Sequence, residues 1–183
     1  MTDAKSPVYE ARFGRDRRTV GALTISVVFT AALLLPGTPL LAQFLGIPLF
    51  AGGGLVMTLN SLTRKVALRV DGTGVLLGGA PLRYRSTTAH VPWADITAVV
   101  LWQQAVQNST MPWVGVARHD GTAPLPGPGQ GPRARAAMRF LVPNVPVDVA
   151  MASRAVNGWR LDRARLAAAV DHFAPGVPVV DAG

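Results

Sequence analysis

The sequence contains no cysteine, and this absence removes several kinds of site. A chain without thiols has no disulfide framework, no thiolate nucleophile and no cysteine-based zinc or iron–sulfur site. Charge is also scarce, at only 15% of the residues. Acidic residues are the scarcer kind, with 10 against 18 basic ones. The net charge of +8 favours an anionic partner, either nucleic acid or the cytoplasmic lipid surface.

The longest gap in charge covers the 45 residues between Arg18 and Arg64. Two apolar runs fill this gap, at 20–36 and 39–60, and a Pro-Gly-Thr-Pro sequence joins them. A helix needs about 20 apolar residues to cross the hydrocarbon core of a bilayer. The second run reaches this length. The first run is shorter, so it would cross only with a modest mismatch between its length and the thickness of the hydrocarbon core. The sequence therefore predicts a transmembrane helical hairpin over 19–62, with a tight turn at its prolines and glycine.

Basic residues flank both apolar runs, while the turn between the runs has no charge. These residues are Arg12, Arg15, Arg17 and Arg18 before the first run, and Arg64, Lys65 and Arg69 after the second. Positively charged flanks remain in the cytoplasm. The pattern predicts a multi-pass protein of the cell membrane with both termini cytoplasmic, and with a basic N-terminal segment at 1–18. We expect Arg17, Arg18, Arg64 and Lys65 to lie beside the membrane.

Three other arrangements give a similar pattern. A cleaved signal peptide is one, although residues 40–42 form a poor cleavage site and a second apolar run follows at once. The others are a buried helical hairpin of a soluble protein, and one span followed by a re-entrant segment interrupted at Gly46 and at the glycines of 52–54. In the hairpin, we expect these glycines to allow close packing against Ala31 and Ala32 or against a neighbouring chain.

The region from residue 63 onward has the pattern of a β-domain rather than that of helices. Short apolar segments bounded by glycine, proline or polar residues predict strands at 65–70, 82–91, 96–102, 112–120 and 138–142. The sequence Asp-Gly-Thr-Gly at 71–74 is a strong hairpin signal. The segment 122–133 is rich in proline and glycine, which predicts a flexible hairpin loop, and its proline spacing also suits a proline-binding module. Several short antiparallel strands indicate a small barrel or sandwich.

One amphipathic helix is predicted near the end of the chain, at 162–173. Asp162 is a suitable N-cap, and Leu161 and Leu166 occupy the positions of a hydrophobic staple. Leu166, Val170 and Phe173 repeat on one face of the helix. We expect this face to close an open end of the β-domain, and residues 176–183 to form a C-terminal tail.

The order of these segments resembles that of bacterial membrane proteins with a pleckstrin-homology-like (PH-like) domain. The resemblance rests on the hairpin of apolar runs, the sequence KVALRVDGTGVLLG, the sequence VPWADITAVVLW and the final helix. The family element x-V-P-W-x-x-I is similar to residues 90–96, where Trp93 packs beside an entering strand. The resemblance covers about residues 64–174, and it implies a partly open β-barrel capped by one helix, here at 63–175.

Candidate catalytic side chains are few and match no known motif. They are His90, Asp95, His119, Asp120 and His172, with Ser86 or Ser109 as the nucleophile. The sequence has no Gly-x-Ser-x-Gly elbow, no His-Glu-x-x-His, no carboxylate pair and no P-loop. We therefore predict neither catalysis nor a cofactor or metal. Asp95 is expected to accept backbone N–H bonds in a turn, and the residues 119–121 are expected to form a β-turn.

The basic residues suggest binding through charge instead. Candidate contacts for an anionic ligand are Arg83 and Arg85 on one strand face, and Arg133, Arg135 and Arg139 beside the proline-rich loop. The resemblance does not support phosphoinositide binding, since family members that bind these lipids have basic residues at the first hairpin loop, which here is Asp-Gly-Thr-Gly. A single tyrosine between two arginines is too little for nucleic-acid binding.

The expected function is therefore that of a non-catalytic binding or scaffold module at the membrane, with another protein as its partner. The alternative is a membrane-anchored sensor that binds anionic lipid headgroups through the arginines of the β-domain. The sequence also allows self-association of the protein through its apolar helices.

Overall fold

The computed structural model describes residues 7–14, 17–80, 83–106, 109–127 and 131–182. The chain divides into a helical unit at 13–65 and a larger unit, which combines the residues before 13 with those from 66 onward. Two four-stranded β-sheets and several helices form the larger unit. The fold is thus mixed α/β, and the helical unit is inserted between the first and second strands.

The helical unit consists of two apolar helical stretches joined by a short turn. Helix α1 is Arg17–Leu33, and the second stretch passes from α2 (Leu40–Ile47) through one π-helical turn (Pro48–Gly52) into α3 (Gly53–Leu62). One helical stretch, Leu40–Leu59, is long and apolar enough to cross a membrane, whereas the apolar helix Val20–Leu33 is shorter. The predicted 39–60 segment is therefore confirmed as one continuous apolar stretch, and the predicted 20–36 segment is a helix below the usual spanning length.

The two helical stretches pack against each other in antiparallel register. The Phe29 and Phe50 rings are stacked with their centroids 4.8 Å apart. On either side of this pair, a side chain at Gly54 would press on Ser26, and a side chain at Gly46 would collide with Leu33. The close approach expected of the glycines is confirmed at Gly46 and Gly54, although their neighbours are Leu33 and Ser26 rather than Ala31 and Ala32.

The first sheet has the order β1-β2-β3-β4, and all its neighbouring strands are antiparallel. Its strands are β1 (Tyr9–Arg12), β2 (Val66–Asp71), β3 (Gly74–Leu77) and β4 (Ala89–Pro92). The N-terminal segment 1–18 was expected to be separate from the β-domain, and this was wrong for its described part, because β1 pairs with β2. Residues 1–6 and 15–16 of that segment, including Arg15, lie outside the described residues.

The hairpin predicted at 71–74 is confirmed as the turn between β2 and β3. The Asp71 carboxylate accepts the Thr73 backbone N–H at 2.9 Å, which closes the turn. Gly74 has a φ of 145°, and a Cβ at this position would collide with the Val91 carbonyl oxygen of β4. Only glycine fits there, since neither the backbone conformation nor the space admits a side chain.

The second sheet has the order β7-β6-β5-β8. The long strands β5 (Ile96–Val106) and β6 (Ser109–Arg118) form its centre, and the short strands β7 (Ser153–Ala155) and β8 (Val179–Asp181) flank them. Strand β8 runs parallel to β5, so the predicted tail at 176–183 is wrong for its described part. Among the described residues the strands form two separate sheets rather than one closed barrel.

The C-terminal helix α7 (Arg163–Phe173) packs on β1 and β2 of the first sheet. The predicted N-cap is confirmed, because the Asp162 carboxylate accepts the Arg165 backbone N–H at 3.0 Å. Leu166 and Val170 are fully buried, as the amphipathic pattern predicted. Tyr9 of β1 is only 3% exposed, and its hydroxyl accepts the Asp162 backbone N–H at 3.0 Å. Strand β1, which precedes the helical unit, is thereby fixed to the start of the last helix.

Three further predictions were wrong. Residues 138–142 are not a strand, because 138–141 belong to helix α5 (Pro132–Leu141). The proline-rich segment therefore leads from β6 into a helix rather than into a strand, and its residues 128–130 lie outside the described residues. The predicted strand at 82–91 is instead a short helix α4 (Tyr84–Thr87) followed by β4, with Leu82 outside the described residues. Helix α6 (Val147–Met151) follows α5 and leads into β7.

Candidate functional site

The stretch at 90–96 lies beside the first hairpin turn and is linked to it by side-chain hydrogen bonds. The Thr73 hydroxyl lies 2.6 Å from Asp71 Oδ1 and 3.1 Å from His90 Nε2. The Trp93 indole N–H donates to the Asp71 carbonyl oxygen at 2.9 Å. The structure thus brings His90 and Trp93 to Asp71, a residue that the search for catalytic groups did not select.

The order of these groups decides what they can do chemically. The Thr73 hydroxyl has one proton, and the shorter distance to a carboxylate directs this proton to Asp71. Thr73 then accepts a hydrogen bond from His90 Nε2, so the histidine acts as a donor rather than as a base. A nucleophilic hydroxyl needs an imidazole that removes its proton, and a third group that orients the imidazole. Here the hydroxyl lies between the other two groups, and the arrangement stabilises the turn instead.

The pKa of Asp71 lies below its ordinary value, mainly because its carboxylate accepts the Thr73 hydroxyl hydrogen bond. The Thr73 backbone N–H and the charges of Arg69 and His90 lower this pKa further, while partial burial opposes them. Arg69 Nε lies 3.0 Å from Asp71 Oδ2. All of these groups favour the ionised carboxylate, which is the form that the turn requires.

Asp95 belongs to a single 3₁₀ turn, Trp93–Asp95, between β4 and β5. Its backbone carbonyl oxygen accepts the His119 N–H at 3.1 Å, so Asp95 faces the end of β6 through its main chain. Ile96 is buried, while Trp93 is half-buried. Strand β5 begins at Ile96, as predicted, and the hydrogen bond at Asp95 is accepted by its main-chain carbonyl oxygen.

The remaining catalytic candidates are dispersed. The turn predicted at 119–121 is confirmed by the hydrogen bond from the Thr122 N–H to the His119 carbonyl and by a φ of 82° at Gly121. His172 is exposed in the last turn of α7, and the Ser86 hydroxyl donates to the Arg83 carbonyl. The Ser109 side chain lies outside the described residues. Within the described part of the chain, no group of three or more histidine and carboxylate side chains could hold a metal ion.

The five arginines proposed for anion binding belong to two separate elements. Arg83 precedes α4 and Arg85 lies within it, so the prediction that they share a strand face was wrong, although both are exposed. Arg133, Arg135 and Arg139 all lie on α5. Arg135 forms an ion pair with Asp148 of α6, whereas Arg133 and Arg139 are exposed on the helix.

The predicted membrane-flanking residues lie at the two ends of the helical unit. The Lys65 carbonyl oxygen accepts the Phe13 N–H at 2.9 Å, and Arg64 has a φ of 46° where the chain leaves α3. Arg17 and Arg18 are in the first turn of α1, and their side chains lie outside the described residues. The first and last residues of the helical unit therefore lie side by side.

Arg154 of β7 is a structurally important residue that the sequence did not reveal. Its guanidinium donates to four carbonyl oxygens, those of Gly78, Thr87, Pro126 and Ser153, at 2.8–3.2 Å. Burial lowers the pKa of Arg154. Within the described part of the chain, no carboxylate lies within ion-pair distance of this side chain. The planar fork of arginine donors joins residues that follow β3, residues of the second sheet and the proline-rich segment.

The β5–β6 hairpin extends beyond its neighbouring strands. Strand β7 pairs only with Trp113–Gly115 and β8 only with Val99–Leu101, while β5 and β6 continue to pair as far as Val106 and Ser109. Gln103, Ala105 and Thr110 of this projecting part are exposed. The hairpin thus presents a two-stranded ribbon, which sequence periodicity alone did not distinguish from the rest of the sheet.

No family model, curated protein or solved structure matches this chain.

Replacement of Asp71 with alanine should destabilise the protein by about 2 kcal/mol at neutral pH, because the turn loses two hydrogen bonds that are each worth about 1 kcal/mol. The pKa of Asp71 is lowered in the folded state, so its contribution is full above the ordinary carboxyl pKa and disappears as the pH falls through the folded pKa. Denaturant unfolding of the full chain in detergent, followed by tryptophan fluorescence, measures both effects. Asp171→Ala, on the exposed side of α7, is the control. A difference between Asp71→Ala and the parent that persists unchanged into strong acid would contradict this assignment.

Replacement of Arg154 with methionine should cost about 3 kcal/mol, since hydrogen bonds from a charged donor are worth roughly 1.5–3 kcal/mol and four carbonyl groups lose their partner. Arg154→Lys should recover only part of the loss, because an ammonium group cannot reproduce the planar fork. The same unfolding measurement applies, with the exposed Arg160→Met as the matched control. Equal stability of Arg154→Met and Arg160→Met would rule out this role.

Proposed function

We propose that this chain is an integral membrane protein that presents a non-catalytic, PH-like binding module on the cytoplasmic side. The observation that carries the proposal is the pairing of β1 with β2 across the helical unit. The helices would anchor the module, and the β-sheets would supply a rigid surface for a protein partner.

The surface of the helical unit supports the membrane anchor. Leu40 is 82% exposed and Phe44 is 78% exposed, and the stretch Leu40–Leu59 is only 6% buried over its most apolar window. Exposed apolar patches of this extent are rare on soluble monomers. Lipid is the environment in which such side chains need no protein partner, and helices satisfy their own backbone hydrogen bonds there.

The strand pairing supports an even number of membrane crossings. Arg12 is the partner of Val66 in adjacent strands, so the segment 13–65 leaves the sheet and returns to it at neighbouring positions. Two paired strands lie on the same side of a membrane. A segment between them must therefore cross twice or enter and return, and a single crossing by Leu40–Leu59 alone does not fit. Two crossings require α1 to span as well, at the cost of local bilayer thinning.

The distribution of charge supports a cytoplasmic position for the β unit. Arg64, Lys65 and Arg69 follow the second apolar stretch, and the turn between the helices has no charged residue. Retention of positive flanks in the cytoplasm would place both termini there.

The architecture of the larger unit supports a PH-like module. A four-stranded antiparallel meander, a second sheet centred on one long hairpin and a helix near the C-terminus follow one another, and this helix packs on the first sheet. The projecting β5–β6 ribbon has few strand neighbours, so it suits the addition of a strand or loop from a protein partner. The dispersed histidines, serines and carboxylates support binding rather than catalysis.

Cysteine labelling tests the proposed topology directly, because the chain has no cysteine of its own. Pro39→Cys places a thiol in the turn between the helices, and Ala168→Cys places one on the exposed side of α7. A membrane-impermeant maleimide should label Pro39→Cys in intact cells, whereas Ala168→Cys should react only after lysis. The protein should also resist extraction by carbonate.

Labelling of Ala168→Cys in intact cells would contradict the cytoplasmic assignment. Failure of both thiols to react before lysis, together with release by carbonate, would contradict membrane anchoring altogether. The labelling pattern that fits two crossings with cytoplasmic termini is reaction at residue 39 without reaction at residue 168.

A further inference from the structure

Helix α5 has an exposed face that combines arginines with a large aromatic side chain. Ala134 and Met138 are its half-buried residues, and Met138 packs against the core around Trp102. On the opposite side, Phe140 is 86% exposed. A phenylalanine on this face is available for contact with a partner outside the folded unit.

The charges on α5 indicate the chemistry of the covering partner. Arg133 precedes Phe140 by seven residues, which is two helical turns, so both lie on the same exposed face. Arg139 flanks this face and is also exposed. Arg135 is directed to Asp148, which leaves Arg133 and Arg139 as the cations beside Phe140. A short helix with an aromatic residue between arginines is the pattern of a segment that lies in the interface of an anionic bilayer.

The connection from the helical unit to the β unit is short. Only residues 63–65 separate α3 from β2, and three extended residues reach at most about 11 Å. This length is close to the Debye length of about 8–10 Å at physiological salt, over which the potential of an anionic leaflet decays. Basic side chains that reach this zone gain about 1 kcal/mol each from that potential.

We propose that α5 is a second membrane contact, in which Phe140 enters the headgroup region of an anionic leaflet and Arg133 and Arg139 bind its phosphates. This inference rests on the proposed membrane anchoring and extends it from the helical unit to the β unit. The contact would fix the orientation of the β-sheets at the membrane, and it would respond to the anionic lipid content.

A reporter on the same face of α5 tests this contact in the full chain. Ala136→Cys lies one turn before Phe140 and is exposed, and it is labelled with an environment-sensitive fluorophore. The protein is reconstituted in vesicles of phosphatidylcholine alone or mixed with phosphatidylglycerol, with quenchers attached to the lipid headgroups. Quenching should be strong only in the anionic vesicles. Ala168→Cys on α7 is the matched helical control and should remain unquenched in both.

Two sets of substitutions on the Ala136→Cys background separate the roles of charge and apolar contact. Arg133→Gln with Arg139→Gln should shift the equilibrium between contact and release by roughly thirtyfold, from two cations at about 1 kcal/mol each. Phe140→Ser should abolish the quenching while the intrinsic tryptophan fluorescence stays unchanged. All three residues are exposed, so neither set should unfold the β unit.

Three outcomes would overturn the proposal. An Ala136 reporter that stays in water in both vesicles would show that the leaflet does not cover this face. Equal quenching in both vesicles, unaffected by the arginine substitutions, would show that anionic lipid is not recognised.

A reporter at Val27→Cys, on the exposed surface of α1, tests the membrane anchor separately from the α5 contact. Water exposure at residue 27 would overturn the membrane anchor and the α5 contact together, whereas lipid exposure there with an aqueous residue 136 would overturn only the α5 contact.

Discussion

The pairing of β1 with β2 is the constraint on which the rest of the structure depends. It joins the chain before the helical unit to the chain after it, from Tyr9 opposite Val70 to Arg12 opposite Val66. Tyr9 also accepts a hydrogen bond from the start of α7, and the Arg165 guanidinium lies 5.8 Å from the centre of its ring. Burial of Tyr9 raises its pKa, so the neutral hydroxyl is retained at physiological pH. Strand β1 thus completes the first sheet and packs against helix α7. Its pairing with β2 also brings together the two ends of the helical unit.

The β unit combines this closure with a core in which aromatic and polar side chains are closely held. The Trp102 and Trp113 rings stack with centroids 4.9 Å apart, and the Trp102 indole N–H donates to the buried Ser153 hydroxyl at 3.0 Å. Arg154, the next residue along β7, is held by four carbonyl groups. Polar side chains in these places satisfy backbone groups and fix elements to one another. The exposed parts of the unit include the β5–β6 ribbon and the α5 face, and these are the surfaces on which the proposals of binding rest.

Sequence reasoning succeeded where the signal is local. The charge-free stretch, the Asp-Gly-Thr-Gly turn and the Asp162 N-cap each depend on residues within a few positions of one another, and the helical stretches, hairpin and α7 were located from them. It failed where tertiary pairing decides the structure. Strand β1 has four residues and finds its partner only beyond the 53 residues of the helical unit, and β8 pairs in parallel with a distant strand.

The α5 region shows a different kind of failure. The apolar residues at 138–142 were interpreted as a strand, while Pro132 in the first turn and the arginines and alanines that follow favour a helix. The candidate site shows the same contrast between local signals and contacts with distant residues. His90 and Trp93 were recognised as residues of interest, but their partners Asp71 and Thr73 are about 20 positions away, and Arg154 had no motif around it. Contacts across sheets have no periodicity that a single sequence reveals.

A disulfide between β1 and β2 tests the central constraint most directly. Glu10 and Arg69 are register partners, and Arg69 Nε lies 3.9 Å from Glu10 Oε2, so both side chains lie on one face of the sheet. Neighbouring antiparallel residues are within disulfide reach. The double variant Glu10→Cys/Arg69→Cys should cross-link under mild oxidation in isolated membranes, and mass spectrometry should identify the linked peptides. The pair Glu10→Cys/Thr110→Cys, which joins different sheets, should remain reduced. If both pairs stayed reduced, β1 would not belong to the sheet, and the argument for an even number of crossings would be contradicted.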